Sequence, residues 1–232
     1  MITFPHPLTA DPDGIVAIGG YLHPDILELA YTYGIFPWFN PGDVPLWWFP
    51  NPRMILLPQE VKVSKSMRSI FNQRKFSFTL DQRFEEVMMN CKNVDRDGMA
   101  SSWIGDGLIN SFCDLHQKGM AHSLEVWEDR ELVGGLYGVC RGRIFYGESM
   151  FTFRPNASKF ALIALCRILE KKGFWLIDCQ EETDHLRSMG AKTIRAADFF
   201  EKIRDNLRFL DNHQYKWSEW AEQERNVVYQ LS

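Results

Sequence analysis

The most regular pattern of apolar and polar positions lies between residues 132 and 185. Two apolar runs flank a turn at Arg141 and Gly142, and apolar residues at helical spacing follow. A short apolar run then ends in the polar residues Asp178 and Gln180. This pattern predicts two strands at 132–139 and 144–150, a helix at 156–172 with Asn156 as N-cap, and a third strand at 175–180.

The rest of the chain alternates less regularly, but the same spacing rules apply. They predict helices at 24–33, 61–75, 82–90, 107–118, 184–189 and 196–207, and strands at 53–57, 76–80 and 122–127. Runs of strands followed by helices indicate the α+β class. Residues 144–180 can form a strand–helix–strand crossover, as in acyltransferases of the GNAT type. For residues 215–232 the sequence leaves two alternatives, a helix packed on the domain or a frayed tail.

Residues 1–51 differ in character from the remainder of the chain. They contain aromatic clusters held between prolines, such as Phe36-Pro37-Trp38 and Phe49-Pro50, and prolines limit regular elements. We therefore predict a small N-terminal domain at 1–51 and a larger domain at 52–232. Clustered aromatic residues usually pack against one another in the hydrophobic core, although they can also form the wall of a binding cleft.

Charge and cysteine content restrict the function. The net charge of −4 excludes a generally cationic nucleic-acid binder, but it leaves room for a local basic patch. Such a patch occurs on the helix predicted at 61–75, which is either a solvated face or a phosphate-contacting surface. The five cysteines show no metal or redox spacing, and no apolar run reaches membrane-spanning length. We expect a cytoplasmic protein with reduced thiols and no membrane contact.

Polar residues at the strand ends are candidates for chemistry. Strand alternation places Asp178 and Gln180 on one face and Cys179 on the other, which argues against a thiol nucleophile. An acid among apolar residues must be hydrogen-bonded, so Asp178 is either catalytic or ties down a neighbouring turn. Glu148 lies in a similar apolar strand. The histidines show no convincing metal-site spacing, and no metal is expected.

The chain resembles the bacterial leucyl/phenylalanyl-tRNA–protein transferases. The resemblance runs from about Gly14 to about Phe200, and its motifs occur in the family's order. They are GIFPWF (34–39), LWW (46–48), HSLEVW (122–127), LVGGLYGV (132–139), GESMF (147–151), NASK (156–159) and LIDCQ (176–180).

The resemblance implies a GNAT-like catalytic domain and a definite reaction. Leu, Phe or, less well, Met passes from an aminoacyl-tRNA to the α-amino group of a protein that begins with Arg or Lys. The product is an N-degron, and no cofactor is needed. Asp178 and Gln180 are implied as the catalytic pair, with Glu148 positioning the amine or the ester. We accordingly expect Asp178→Ala to abolish transfer and to leave the fold intact.

The same resemblance assigns the binding residues. An apolar aminoacyl pocket that rejects β-branched side chains is implied at Leu136, Phe145, Leu165 and Ile177. Stacking of the terminal adenine of the tRNA is implied at Trp38 and Trp103. Contact with the tRNA backbone is implied at Lys65 and Arg68, which match the family's basic helix. Other positions of that helix are neutral in this chain, so part of the contact is expected to shift to Arg74 and Lys75. With this resemblance the phosphate-contacting interpretation of the helix is favoured.

Two alternatives compete with this function. An acyl-CoA-dependent N-acyltransferase on the same fold needs a glycine-rich pyrophosphate loop that opens a helix, and the segment Pro155–Ser158 contains no glycine. A non-catalytic tRNA or protein binder has no need of Asp178, Gln180 and Glu148 together.

Overall fold

The computed structural model describes residues 3–94, 103–212 and 216–230, with the side chains of residues 211 and 212 left aside. It is an α+β structure, as predicted. The strands are β1 Ile15–Ile18, β2 Phe36–Pro37, β3 Leu46–Trp48, β4 Arg53–Leu56, β5 Ser77–Leu80, β6 Ala121–Glu128, β7 Glu131–Arg141, β8 Ile144–Thr152, β9 Leu176–Gln180 and β10 Lys192–Ile194. The helices are α1 Pro24–Thr32, α2 Lys65–Asn72, α3 Phe84–Asn93, α4 Asp106–Gln117, α5 Ala157–Lys171, α6 Asp184–Ser188, α7 Ala196–Asn206, α8 Trp217–Gln223 and α9 Arg225–Tyr229.

The described strands form two sheets. The larger sheet has the order β10-β4-β9-β8-β7-β6-β5, and the smaller has the order β1-β3-β2. Every pair in the larger sheet is antiparallel except β8 and β9, which run parallel. Parallel strands need a crossover connection, and α5 provides it. The predicted strand–helix–strand unit is therefore confirmed, whereas β10 is a three-residue strand that the sequence pattern did not predict.

Helix α5 is the central helix of the larger domain. Ten of its residues are buried, among them Phe160, Leu165 and Leu169. It lies so close to β7 that a Cβ atom on Gly134 would stand 2.7 Å from the Cβ of Ala157, so only glycine fits there. Asn156 precedes the helix in the left-handed conformation, with φ 74°, and its side chain makes no capping hydrogen bond. Asn156 thus occupies the predicted N-cap position, but the side-chain hydrogen bond expected of a cap is absent.

The small sheet lies within residues 1–51 and is separate from the large sheet. Helix α1, however, buries Leu27, Ala30 and Tyr31 in a core that also contains Phe112 and Tyr137 of the large domain. The hydrophobic core thus continues from one sheet region to the other. The domain boundary at residue 51 stays a prediction.

The C-terminal segment is packed on the domain over its described residues, 216–230. Trp217 and Val228 are buried, and the hydroxyl of Tyr229 donates a 2.6 Å hydrogen bond to the carbonyl oxygen of Phe76. Of the two alternatives for this segment, the packed helix is confirmed, as two short helices. No described helix combines the length and the apolarity that crossing a membrane requires.

Candidate active site

Glu148 occupies a β-bulge in strand β8. Tyr137 of β7 lies opposite Ser149, and Gly138 lies opposite Gly147, so Glu148 is the extra residue between them. A bulge re-aims a side chain and is common beside active sites. The Oε1 atom of Glu148 accepts two hydrogen bonds, one from the hydroxyl of Tyr31 at 2.8 Å and one from Nε2 of Gln180 at 3.0 Å.

Gln180 ends strand β9 in an unusual backbone conformation. Its φ is 63°, in the left-handed region, and the pairing with β4 shifts register between Asp178 and Gln180. Regular strand alternation therefore does not hold here. Gln180 is half-buried and lines two cavities, together with Cys179, whereas Asp178 is fully buried and lines neither. The prediction that Asp178 and Gln180 share one face and Cys179 the other is wrong for this reason.

Asp178 nevertheless holds Gln180 in place from behind. The backbone N–H of Gln180 donates to Oδ1 of Asp178 at 3.0 Å. The Asp178 carboxylate in turn receives two hydrogen bonds from Arg53, from Nε at 2.8 Å and from Nη2 at 2.6 Å. Both side chains of this pair are 0% exposed. The two-point geometry fixes the orientation of the carboxylate.

Arg53 is a functional candidate that the sequence interpretation missed. Its guanidinium also donates to the carbonyl oxygen of Gly34 at 2.8 Å. It lies over the rings of Phe36 and Phe199, 4.8 and 4.6 Å from their centroids. The available signal was a cation that begins an otherwise apolar strand, since a buried cation requires an anion. The sequence did not identify the partner.

An apolar cavity of about 310 Å³ opens beside Glu148 and Gln180. All four residues predicted for the aminoacyl pocket line it, and all four are buried: Leu136, Phe145, Leu165 and Ile177. Met150 and Leu162 extend the same apolar wall. We call this cavity the apolar pocket. Its polar side chains include Glu148, Gln180 and His185.

A second cavity, of about 290 Å³, contains both predicted adenine-stacking residues, Trp38 and Trp103. Trp38 is 36% exposed, and its carbonyl oxygen accepts a 2.6 Å hydrogen bond from Nε1 of Trp48. We call this cavity the tryptophan cavity. It shares five wall residues with the apolar pocket, namely Glu148, Cys179, Gln180, Thr183 and Leu186. The two cavities therefore meet at the Glu148–Gln180 hydrogen bond.

The titratable groups at this meeting point have shifted pKa values. Burial raises the pKa of Glu148 to about 8, and the nearby Asp178 raises it as well, while hydrogen bonds from Tyr31 and Gln180 and the charge of Arg53 oppose the shift. At pH 7 Glu148 is therefore mostly a neutral acid. Burial also raises the pKa of the Cys179 thiol. The thiol lines both cavities but stays protonated, so it is a poor nucleophile.

The predicted basic residues lie outside both cavities. Lys65 and Arg68 are exposed on α2, which ends at Asn72 rather than at residue 75. Arg74 and Lys75 follow the helix. Arg74 lies over the ring of Tyr229, 5.4 Å from its centroid, and Lys75 lies 3.7 Å from a carboxylate oxygen of Glu128.

One group of described residues has metal-ligating side chains, Asp81, His116 and His122, with ligand atoms within 4.8 Å of one another. Nδ1 of His122 lies 2.8 Å from Oδ2 of Asp81, and its Nε2 lies 3.1 Å from the carbonyl oxygen of Gly119. Nδ1 of His116 lies 2.8 Å from the carbonyl oxygen of Ala121. All three of these nitrogens therefore lie at hydrogen-bond distance from oxygen atoms of the protein itself.

Comparison with known proteins gives the family. The family model described as leucyl/phenylalanyl-tRNA protein transferase matches residues 55–204, and the model of that family's N-terminal domain matches residues 20–51. A leucyl/phenylalanyl-tRNA–protein transferase of Hydrogenovibrio crunogenus is 48% identical over 219 residues, which are 94% of this chain and 85% of the relative. The corresponding protein of Flavobacterium johnsoniae is 47% identical over 201 residues, or 87% of this chain and 95% of the relative.

Solved structures are more remote. A GCN5-related N-acetyltransferase from Kribbella flavida is 10% identical, with a TM-score of 0.37, and the match covers 73% of this chain and 60% of the other. L-PGS from Bacillus licheniformis is also 10% identical with a TM-score of 0.37, over 82% and 72% of the two chains. These scores support no conclusion about this chain. The sequence matches do: the chain is a transferase and belongs to the leucyl/phenylalanyl-tRNA–protein transferase family.

Proposed function

We propose that this protein transfers Leu or Phe, and less well Met, from an aminoacyl-tRNA to the α-amino group of proteins that begin with Arg or Lys. The product would be an N-degron that marks the acceptor for degradation in the cytoplasm. One observation carries the proposal: an apolar pocket and a tryptophan-lined cavity meet at the Glu148–Gln180 pair. Family membership supports it independently.

The two cavities suit the two ends of an aminoacyl-adenosine. An apolar pocket of about 310 Å³ takes an apolar side chain that is not branched at Cβ, and shape alone accepts both Leu and Phe. Trp38 and Trp103 provide aromatic faces for the terminal adenine, and such stacking contributes about 1–3 kcal/mol per base. With the side chain in one cavity and the base in the other, the ester that joins them lies beside Glu148 and Gln180.

The reaction itself needs little beyond alignment. The nitrogen of the acceptor amine attacks the ester carbonyl carbon, so a C–N bond forms while the C–O bond to the ribose breaks. The amine loses a proton and the departing ribose oxygen gains one, so the step balances with no external reagent. The donor ester is already activated, and the enzyme contributes mainly orientation, which can lower the barrier by about 7–11 kcal/mol.

The residues at the junction of the cavities divide this work. Nε2 of Gln180 is engaged by Glu148, which leaves the carbonyl oxygen of the Gln180 side chain to accept a hydrogen bond from the incoming amine. Glu148, held by Tyr31, fixes that orientation. Asp178 does not line the cavities and is a positioning residue, because it acts on Gln180 through the backbone N–H.

The basic side chains supply the contact with the acceptor stem. Lys65 and Arg68 lie exposed on α2, and Arg74 and Lys75 follow it. Contacts between such cations and phosphates release counterions, so the affinity for tRNA should fall as the salt concentration rises.

A transfer assay tests the proposal. Purified protein is incubated with radiolabelled Leu-tRNA and with peptides that begin with Arg, Lys or Ala. Label is expected in the Arg and Lys peptides and not in the Ala peptide, without added acetyl-CoA. Label in no peptide, or equally in all three, contradicts the proposed function. Acyl transfer that depends on acetyl-CoA would support the acyltransferase alternative instead.

A further inference from the structure

The acceptor that the proposed function requires carries two positive groups, its α-amine and the side chain of its first residue. A binding site that selects Arg or Lys needs an anion for the second group as well as an orienting acceptor for the first. Among the described residues lining the two cavities, the acidic and basic side chains are Glu148, Glu181 and His185. One of the two acids should therefore contact the basic side chain.

Glu148 is poorly suited to this role. It is mostly neutral at pH 7, because burial raises its pKa to about 8. Its Oε1 atom already accepts hydrogen bonds from Tyr31 and Gln180. Asp178, the other acid nearby, is sealed behind the cavity wall and neutralised by Arg53. Neither carboxyl group offers a free negative charge to a ligand in the cleft.

Glu181 has the required properties. It follows Gln180 directly, is exposed, and lines the tryptophan cavity beside Trp38 and Trp103. In the part of the chain that the structure describes, its carboxylate makes no hydrogen bond and no ion pair. Partial loss of hydration raises its pKa, so a cation placed against it would relieve an unfavourable environment.

The neighbouring acid provides a contrast. Glu182 is paired with Arg187 on helix α6, so its charge is already balanced, and it lines neither cavity. Consecutive Cα atoms are about 3.8 Å apart, so a side chain that extends from an amine held at Gln180 can reach the next residue. We propose, on the basis of the proposed function, that Glu181 binds the basic side chain of the acceptor's first residue and so determines acceptor specificity.

The test compares Glu181→Gln with Glu182→Gln as matched control, using Leu-tRNA and peptides that begin with Arg or Lys. We expect Glu181→Gln to lower kcat/KM for both peptides by about tenfold or more, the usual effect of one charge-assisted contact. The loss should appear in the KM of the peptide, while kcat and the KM of Leu-tRNA stay near the wild-type values. Glu182→Gln should resemble the wild type. Glu181→Lys should reduce transfer further, because it repels the acceptor.

Three outcomes overturn the inference. The first is an unchanged peptide KM in Glu181→Gln. The second is an equal loss in Glu181→Gln and Glu182→Gln, which would indicate a general effect of surface charge. The third is a rise in the KM of Leu-tRNA in place of the peptide KM. These results leave the proposed function standing if the wild type still transfers Leu to the Arg peptide. A wild type that transfers to neither peptide overturns both proposals.

Discussion

The buried pair of Arg53 and Asp178 yields the most detailed prediction. Asp178→Ala removes both hydrogen bonds from the guanidinium and the acceptor of the Gln180 N–H. Arg53 would then be a cation with 0% exposure, with a hydrogen bond to Gly34 and aromatic rings around it but no anion. The variant should therefore lose stability as well as activity, in contrast to the expectation of an intact fold that the sequence suggested.

The magnitude follows from the burial of the pair. Removal of one partner of a buried ion pair typically costs about 3–5 kcal/mol. Domains are stable by only about 5–15 kcal/mol, so this loss is a large part of the total. With a urea m-value of about 2 kcal/mol/M, the unfolding midpoint should fall by roughly 2 M. Arg53→Met combined with Asp178→Ala leaves no unpaired charge, and it should be more stable than Asp178→Ala alone.

The assay is urea unfolding followed by tryptophan fluorescence, since the chain contains 8 Trp. Asp178→Asn is the closest control, because its side-chain oxygen can still accept from the Gln180 N–H while the charge is lost. The reasoning is refuted if Asp178→Ala unfolds at the wild-type midpoint. It is also refuted if the loss of unfolding free energy in the double variant equals the sum of the losses in Arg53→Met and in Asp178→Ala. Such additivity would indicate no coupling between Arg53 and Asp178.

Three further predictions concern the junction, the tryptophan cavity and the tRNA contact. Burial raises the folded-state pKa of Glu148 from 4.5 to about 8, so the free energy of unfolding of the wild type should fall as the pH rises from about 4.5 to about 8. This loss, a few kcal/mol at most, should be absent in Glu148→Gln. The assignment is contradicted if the free energy of unfolding changes equally between pH 5 and pH 8 in the two proteins. Trp103→Ala should raise the KM of Leu-tRNA about tenfold with little change in turnover, and an unchanged KM would count against stacking. Lys65→Ala combined with Arg68→Ala should weaken tRNA binding and flatten its salt dependence, and an unaltered salt slope would remove α2 from the tRNA contact.

The sequence predicted the framework of the site well. Local apolar periodicity was sufficient for the crossover β8-α5-β9, and the predicted pocket residues, such as Leu136 and Ile177, do line one cavity. The crossover depends on spacing within a strand or helix, which a sequence displays directly, whereas the pocket residues were implied by the family resemblance. The family resemblance also implied the two tryptophans, which lie together at the second cavity although they are far apart along the chain.

Other features depend on long-range pairing or on local breaks in regularity, which periodicity cannot detect. Arg53 and Asp178 are 125 positions apart, and Tyr31 reaches Glu148 across 117 positions. The bulge at Glu148 and the left-handed Gln180 change the direction of the side chains that matter most. A strict alternation rule therefore placed Asp178 at the cavity wall and Cys179 away from it, the reverse of the observed arrangement.

The most direct test of the account is the rate of Leu transfer in Gln180→Ala at saturating Leu-tRNA and Arg peptide. Gln223→Ala, an exposed glutamine on α8, is the control. If the ester meets the amine at the Glu148–Gln180 pair, the rate at saturation should fall by about 100-fold, the effect of a misplaced reacting group, while the affinity for Leu-tRNA is retained. A saturating rate equal to that of the wild type would mean that the peptide bond forms elsewhere.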